Sequence, residues 1–307
     1  MKKTFEKSLP IIMEQNKNIV LLTADEQSPE LTVVREKFPE RCFTFGIAEC
    51  NMVGAAAGFA RAGFMPIVYT MASFLAFRSS EFIRCDICLN NFKAILVAYS
   101  SGVKNNVYGP THHLTEDIAA MRVLPNLTVL SPASPFEVVP AMMAAVTCDG
   151  PVYFRLGKAF ETEIYPSMPQ FEIGKSTFIR KGDDLTIIGT GNIIANAIEA
   201  ADMLKKEFNI SADIINMSTI KPIDREAILS SAAKTHRVVT VEEHQVNGGL
   251  GGAVSEVLAT SDVNARMEMI GFNDTFCMTY GWHRDLLESY GLSAVQIFDR
   301  IKVFMQK

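Results

Sequence analysis

An acid set among apolar and small side chains is the first place where this sequence could do chemistry. In Phe45-Gly46-Ile47-Ala48-Glu49-Cys50-Asn51-Met52, Glu49 stands where a strand-like run gives way to a helix of small residues. A carboxylate at a helix N-terminus is favoured by the helix dipole, so capping is one reading. Burying an ionised group there without a partner costs several kcal/mol, so a specific partner is the other reading, and shared-proton chemistry is one way to supply it.

The second candidate segment is Tyr108-Gly109-Pro110-Thr111-His112-His113-Leu114-Thr115-Glu116-Asp117, which follows the apolar run FKAILVAYS. In open α/β sheets, ligands and catalytic groups gather at the carboxyl ends of strands. His112 is therefore a candidate for proton transfer or for bonding a substrate hydroxyl. A loop that merely caps the helix beginning at Glu116 fits the same residues.

Other signals point to packing. Cys85-Asp86-Ile87-Cys88 has CxxC spacing but sits in a helical run with no second pair, as structural thiols do. Asn247-Gly248-Gly249-Leu250-Gly251-Gly252 opens a helix but is neither GxGxxG nor a P-loop, and reads as a turn that permits close approach. Glu242, Glu243 and His244 are adjacent on a strand end and alternate between its faces, which suits capping or interface roles better than a metal. His236 and His283 read as solvated or hydrogen-bonded.

The elements that must position Glu49 and His112 alternate along the chain. The first half gives a helix in TFEKSLPIIMEQ, then strands in NIVLLTAD, RCFTFGI, MPIVYTM, FKAILVAYS, LTVLSPA and PVYFRLG. Between them lie helical patterns at ECNMVGAAAGFARAG, Ser79–Asn90, Glu116–Val123 and Pro135–Thr147. Apolar strands separated by helices are the mark of a mainly parallel sheet covered on both faces. Residues 159–172, AFETEIYPSMPQFE, lose periodicity and read as a linker. A second series follows, with strands in DLTIIGTG, SADIINMST, RVVTVEEH and RMEMIGF and helices between and after them. The expected fold is two tandem α/β domains, residues 1–160 and 172–307.

Length and composition agree. At 307 residues the chain suits two domains, and 48% hydrophobic with 21% charged residues supports real cores. A net charge of −5 argues against a nucleic-acid or anionic-membrane partner. No apolar run reaches membrane-span length, the start reads as no signal peptide, and six cysteines over this length fit a reduced, cytoplasmic setting.

Taken in order, GIAECNMVGAAAGFARAG, YTMASFLAF, FIR and YGPTHHLTEDIAAMRVLPNLTVLSPAS resemble the pyrimidine-binding domain of transketolases. VVTVEEHQVNGGLGGAVSEVLA and the closing YGLSAVQI resemble the transketolase C-terminal domain. The resemblance implies thiamine diphosphate as cofactor. It makes Glu49 the glutamate that bonds N1′ of the aminopyrimidine and favours the 4′-imino tautomer. Phe74 becomes the aromatic that stacks on that ring, and Phe77 lines the same pocket. His112 would contact the donor's hydroxyl. Arg155 would bind the acceptor's phosphate, with Ser28, one residue out of register, as companion ligand.

The Gly-Asp-Gly motif that holds the diphosphate and Mg²⁺ in transketolases is missing: Asp149-Gly150 follows Cys148, and Gly182-Asp183 is followed by Asp184. The chain thus resembles the small subunit of a split transketolase, completed by a large subunit in a heterotetramer. The implied activity is transfer of a two-carbon ketol unit from a ketose to an aldose, in carbohydrate metabolism of the pentose phosphate kind. Ser100-Ser101 and Tyr108 depart from the family's His-Asp and acid, which points to an unusual sugar or sugar phosphate. The rival readings are the β subunit (E1) of a 2-oxo acid dehydrogenase and a non-catalytic scaffold subunit. A nucleotide-binding dehydrogenase would need an early glycine fingerprint that is not there.

Overall fold

A computed structural model describes residues 1–105, 107–157 and 161–306. The first half runs α1 (Lys2–Gln15), β1 (Ile19–Thr23), α2 (Pro29–Lys37), β2 (Cys42–Thr44), α3 (Glu49–Arg61) and β3 (Met65–Met71). After β3 come two π-helical stretches, Phe74–Arg78 and Ile83–Cys88, on either side of α4 (Ser80–Phe82). The half continues through β4 (Ile95–Tyr99), α5 (Asp117–Arg122), β5 (Thr128–Leu130), α6 (Pro135–Thr147) and β6 (Val152–Leu156). The second half has β7 (Thr177–Arg180), β8 (Leu185–Thr190), α7 (Ile194–Phe208), β9 (Ala212–Asn216), β10 (Thr219–Lys221) and α8 (Arg225–Thr235). It ends with β11 (Arg237–Gln245), α9 (Leu250–Ala259), β12 (Arg266–Phe272), α10 (His283–Ser289) and α11 (Ala294–Gln306).

The strands form two sheets, ordered β10-β5-β6-β4-β3-β1-β2 and β12-β11-β8-β9-β7. All pairings are parallel except β10 with β5 and β7 with β9. The period of two sorts side chains onto the two faces. In β1, Ile19 and Leu21 enter the core under α1, α2 and α6, while Val20 and Leu22 enter the core under α3. That second core does not stop at the first sheet: it runs on through Ile188, Ile215, Val238 and Val254 of the second half. A third cluster packs α7 and α11 on the far face of the second sheet.

Two features differ from the sequence expectation. β10 belongs to the second half yet completes the first sheet, pairing Thr219 with Leu130. The segment expected as a helix over Ser79–Asn90 holds the short α4 and the π-helical stretch Ile83–Cys88, and a further π-helical stretch, Phe74–Arg78, precedes it, a geometry that is frequent at functional sites. The boundary expected at residue 160 falls outside the described residues. Residues 161–176 carry no helix or strand, although Glu163 caps α6, accepting from Ser134 Oγ (2.5 Å) and Phe136 N–H (2.9 Å).

Candidate functional site

Glu49 opens α3 after a turn in which Gly46 has φ +66. The N-cap, Ala48, makes no side-chain cap, so the Glu49 carboxylate is the local charge at the positive end of the helix. Small residues let α3 approach the π-helical run closely: the Cα of Gly54 lies where an added Cβ would sit 3.6 Å from the Phe82 ring. Glu49 is 2% exposed, and Arg78 Nη1 donates to its Oε2 at 3.2 Å. The Arg78 guanidinium also lies 4.7 Å over the Phe74 ring.

Phe74 meets His112 edge to face at 5.2 Å, and Tyr108 stacks on His112 at 5.0 Å. Thr111 Oγ1 is 2.9 Å from His112 Nδ1. The structure thus brings Glu49, Phe74 and His112, which span more than sixty residues of sequence, into one continuous line with Arg78 and Tyr108. Phe77 is 47% exposed and lines an adjoining cleft of ≈ 410 Å³ with Ser73, Pro110, Thr111, His113 and Phe276. Burial lowers the pKa of His113, against the pull of its hydrogen bond to the Cys277 carbonyl, so this imidazole stays neutral near pH 7.

The two expected phosphate ligands both have partners within the chain. Ser28 is the N-cap of α2, its Oγ accepting from Leu31 N–H at 3.1 Å, which accounts for the serine without a ligand. Arg155, too, has partners within the chain. It is 6% exposed; its Nε donates to Asp117 at 2.9 and 3.1 Å and its Nη2 to the Glu243 carbonyl at 3.0 Å. Tyr153 donates to the same Asp117 at 2.9 Å. These bonds through Nε and Nη2 tie the two halves of the chain together.

The acids before the glycine turn likewise serve structure. Glu242 accepts from the N–H groups of Leu250 and Gly251 at 2.6 and 2.8 Å, filling the N-terminus of α9 with the chain's own carboxylate. A Cβ on Gly249 would sit 2.0 Å from that carboxylate, which is why glycine occurs there. Among the described residues no group of three His, Cys, Asp or Glu could hold a metal ion. Cys85 and Cys88 are free.

This buried triplet makes the stability pH-dependent with opposing signs. Burial raises the Glu242 pKa from 4.5 to about 7, so the folded state holds the extra proton and this group's contribution falls as pH rises from 4.5 to 7. Burial lowers the His244 pKa from 6.5 to about 4, so its contribution rises with pH from 4 to 6.5. Urea denaturation should show His244→Gln losing stability toward pH 7 and Glu242→Gln gaining it across pH 4.5–6.5, with the unmodified chain flatter than either.

Sequence reasoning missed Arg78. Its place four residues after Phe74 gives no sign of the reach to Glu49, which the π-helical geometry sets. Asp117 was missed because its partners come from β6 and β11.

The profile of the transketolase pyrimidine binding domain matches residues 1–160, and that of the transketolase C-terminal domain matches residues 174–297. The chain belongs to the transketolase family. It is 38% identical over 310 residues to a putative transketolase C-terminal section of Methanocaldococcus jannaschii, covering 100% of this chain and 96% of that protein. It is 33% identical over 308 residues to one of the subunits of an apulose-4-phosphate transketolase of Phocaeicola vulgatus, covering 100% and 97%. Its fold superposes with a TM-score of 0.89 on a split gene transketolase described as an inactive beta4 tetramer, 37% identical over 99% of this chain and 97% of that one. Transketolase domains of this kind depend on thiamine diphosphate. Among the described residues no helix is long and apolar enough to cross a membrane.

Proposed function

We propose that this chain is the glutamate-bearing subunit of a split transketolase, transferring a two-carbon ketol unit from a ketose to an aldose. The observation that carries the reading is the line Glu49–Arg78–Phe74–His112, which puts a buried acid, an aromatic face and an imidazole on segments that follow the carboxyl ends of β2, β3 and β4. These residues fit an aminopyrimidine: an acid that can share a proton with a ring nitrogen, and an aromatic ring beside it. When bound, thiamine diphosphate supplies the carbon nucleophile and the electron sink that side chains lack.

In this scheme Glu49 holds a proton at the pyrimidine N1′ and keeps water away from it. Phe74 offers its ring to the pyrimidine, and Phe77 closes the pocket wall. His112 bonds a sugar hydroxyl and moves its proton. Arg78 pairs with the Glu49 carboxylate at 3.2 Å where no ring is bound. A large subunit with the Gly-Asp-Gly motif supplies the diphosphate and Mg²⁺ site in a cytoplasmic heterotetramer. The relative named for apulose 4-phosphate supports a sugar phosphate as substrate, while Ser100, Ser101, Tyr108 and the enclosed Arg155 support one held differently from the usual pentose phosphates.

The test is to purify this chain with the large chain and assay ketose–aldose pairs against pyruvate. Ketol transfer by the pair and not by this chain alone is expected. Full activity of the small chain alone, or turnover of pyruvate in place of ketoses, overturns the reading.

A further inference from the structure

His112 rides on a long connection between β4 and α5. At its base Gly102 and Leu114 exchange two hydrogen bonds, Gly102 N–H to the Leu114 carbonyl at 2.8 Å and Leu114 N–H to the Gly102 carbonyl at 2.9 Å. At its tip the N–H groups of His112 and His113 both donate to the Gly109 carbonyl, at 3.0 and 3.1 Å. These bonds shape the loop internally. They do not fix it relative to Glu49 or Phe74, which stand on other elements.

Besides the contact of His112 with Phe74, the second half of the chain supplies anchors at both arms of the loop. Glu243 and Gln245 lie two apart on β11, where its pairing with β12 shifts register. Glu243 Oε1 accepts from Val103 N–H at 2.7 Å on one arm of the loop, and Gln245 N–H donates to the Thr115 carbonyl at 2.7 Å on the other. Glu243 is 6% exposed and is braced from behind by His283, 3.0 Å away. The fit leaves no slack: at Gly102, with φ +68, a Cβ would sit 2.2 Å from Glu243 Oε1. Next to it, Lys104 Nζ reaches Asn192 Oδ1 at 3.4 Å. At the tip, Gly109, with φ +74, leaves room for the Tyr280 ring, which a Cβ would meet at 2.2 Å. His113 Nδ1 lies 3.2 Å from the Cys277 carbonyl.

We infer that the C-terminal half holds the His112 loop in register with Glu49, with Glu243 as a positioning residue for His112 and Tyr280 as the buttress of the turn that carries it. The inference rests on the proposed role of His112. Burial alone would raise the Glu243 pKa, but His283, Lys104 and the Val103 N–H hold it well below the usual carboxylate range, so the brace is charged at working pH. Displacing a reacting group by about 1 Å costs on the order of 10²-fold in rate, enough for a brace of this kind to govern turnover.

The test uses hydrogen exchange on the full chain and kinetics on the complex with its large subunit. Glu243→Ala should speed amide exchange across residues 103–115 by about tenfold while α3 and β4 keep their protection. In the complex it should lower kcat by about 10²-fold with the cofactor Kd within about twofold, because Glu49 and Phe74 stand elsewhere. Glu243→Gln, which keeps an oxygen acceptor for Val103, should recover most of the rate. Should Glu243→Ala fail to fold, Tyr280→Ala, at a side chain 65% exposed, should loosen the same amides without unfolding the chain. Unchanged exchange at 103–115 in the folded variants overturns the inference, as does equal loss of protection in both sheets together with cofactor affinity. Full turnover by Glu49→Gln in the same complex would overturn the transketolase reading instead, and the exchange result would still decide the positioning role of Glu243.

Discussion

Glu49→Gln should reduce kcat of the assembled enzyme by about 10³-fold, the scale of a lost proton-transfer group. The amide is nearly the same size and shape as the carboxylate, so the pocket keeps its packing. What changes is that no proton can be shared with a ring nitrogen and Arg78 loses its counter-charge. Arg78 has a side chain 48% exposed and can turn to water, so the fold should not suffer beyond about 1 kcal/mol from the helix terminus. Steady-state kinetics of the complex, paired with urea denaturation of the chain alone, separates the two effects. A rate within about tenfold of the unmodified enzyme would mean that Glu49 only caps α3.

The second large effect is on stability. Asp117→Ala strands the Arg155 charge, 6% exposed, without its carboxylate, and Arg155→Ala strands Asp117, fully buried beside Tyr153 and His244. Removing one partner of a buried pair costs about 3–5 kcal/mol, and each variant should lose that much in urea unfolding. The double variant should lose less than the sum, since each single change already breaks the shared contact. A role for Arg155 on substrate phosphate would show the opposite pattern: a raised KM for phosphorylated sugars with unfolding stability untouched.

The sequence carried most of the architecture because burial on both faces writes itself into residue type. The run Ile95–Tyr99 is wholly buried and apolar, and Ile19/Leu21 against Val20/Leu22 divide cleanly between two cores. β10 was not legible: a three-residue strand has no periodicity of its own, and Thr219 finds its partner Leu130 only once both halves are folded. Glu49 could be found because a charge amid apolar neighbours demands a reason. Arg78 could not, since its reach to Glu49 and its stacking on Phe74 depend on a π-helical geometry that residue spacing does not specify. Arg155 was opaque for the same reason from the other side. Its environment is built by residues 38 and 88 positions away, and nothing local to Tyr153-Phe154-Arg155 announces those partners.

The measurement that bears most directly on the account is a structure of this chain assembled with its large partner and thiamine diphosphate. The Glu49 carboxylate should lie at hydrogen-bond distance, about 2.7–3.2 Å, from the pyrimidine N1′, with the diphosphate gripped by the other polypeptide. A pyrimidine ring seated away from Phe74, with Glu49 still bound only to Arg78, would contradict it.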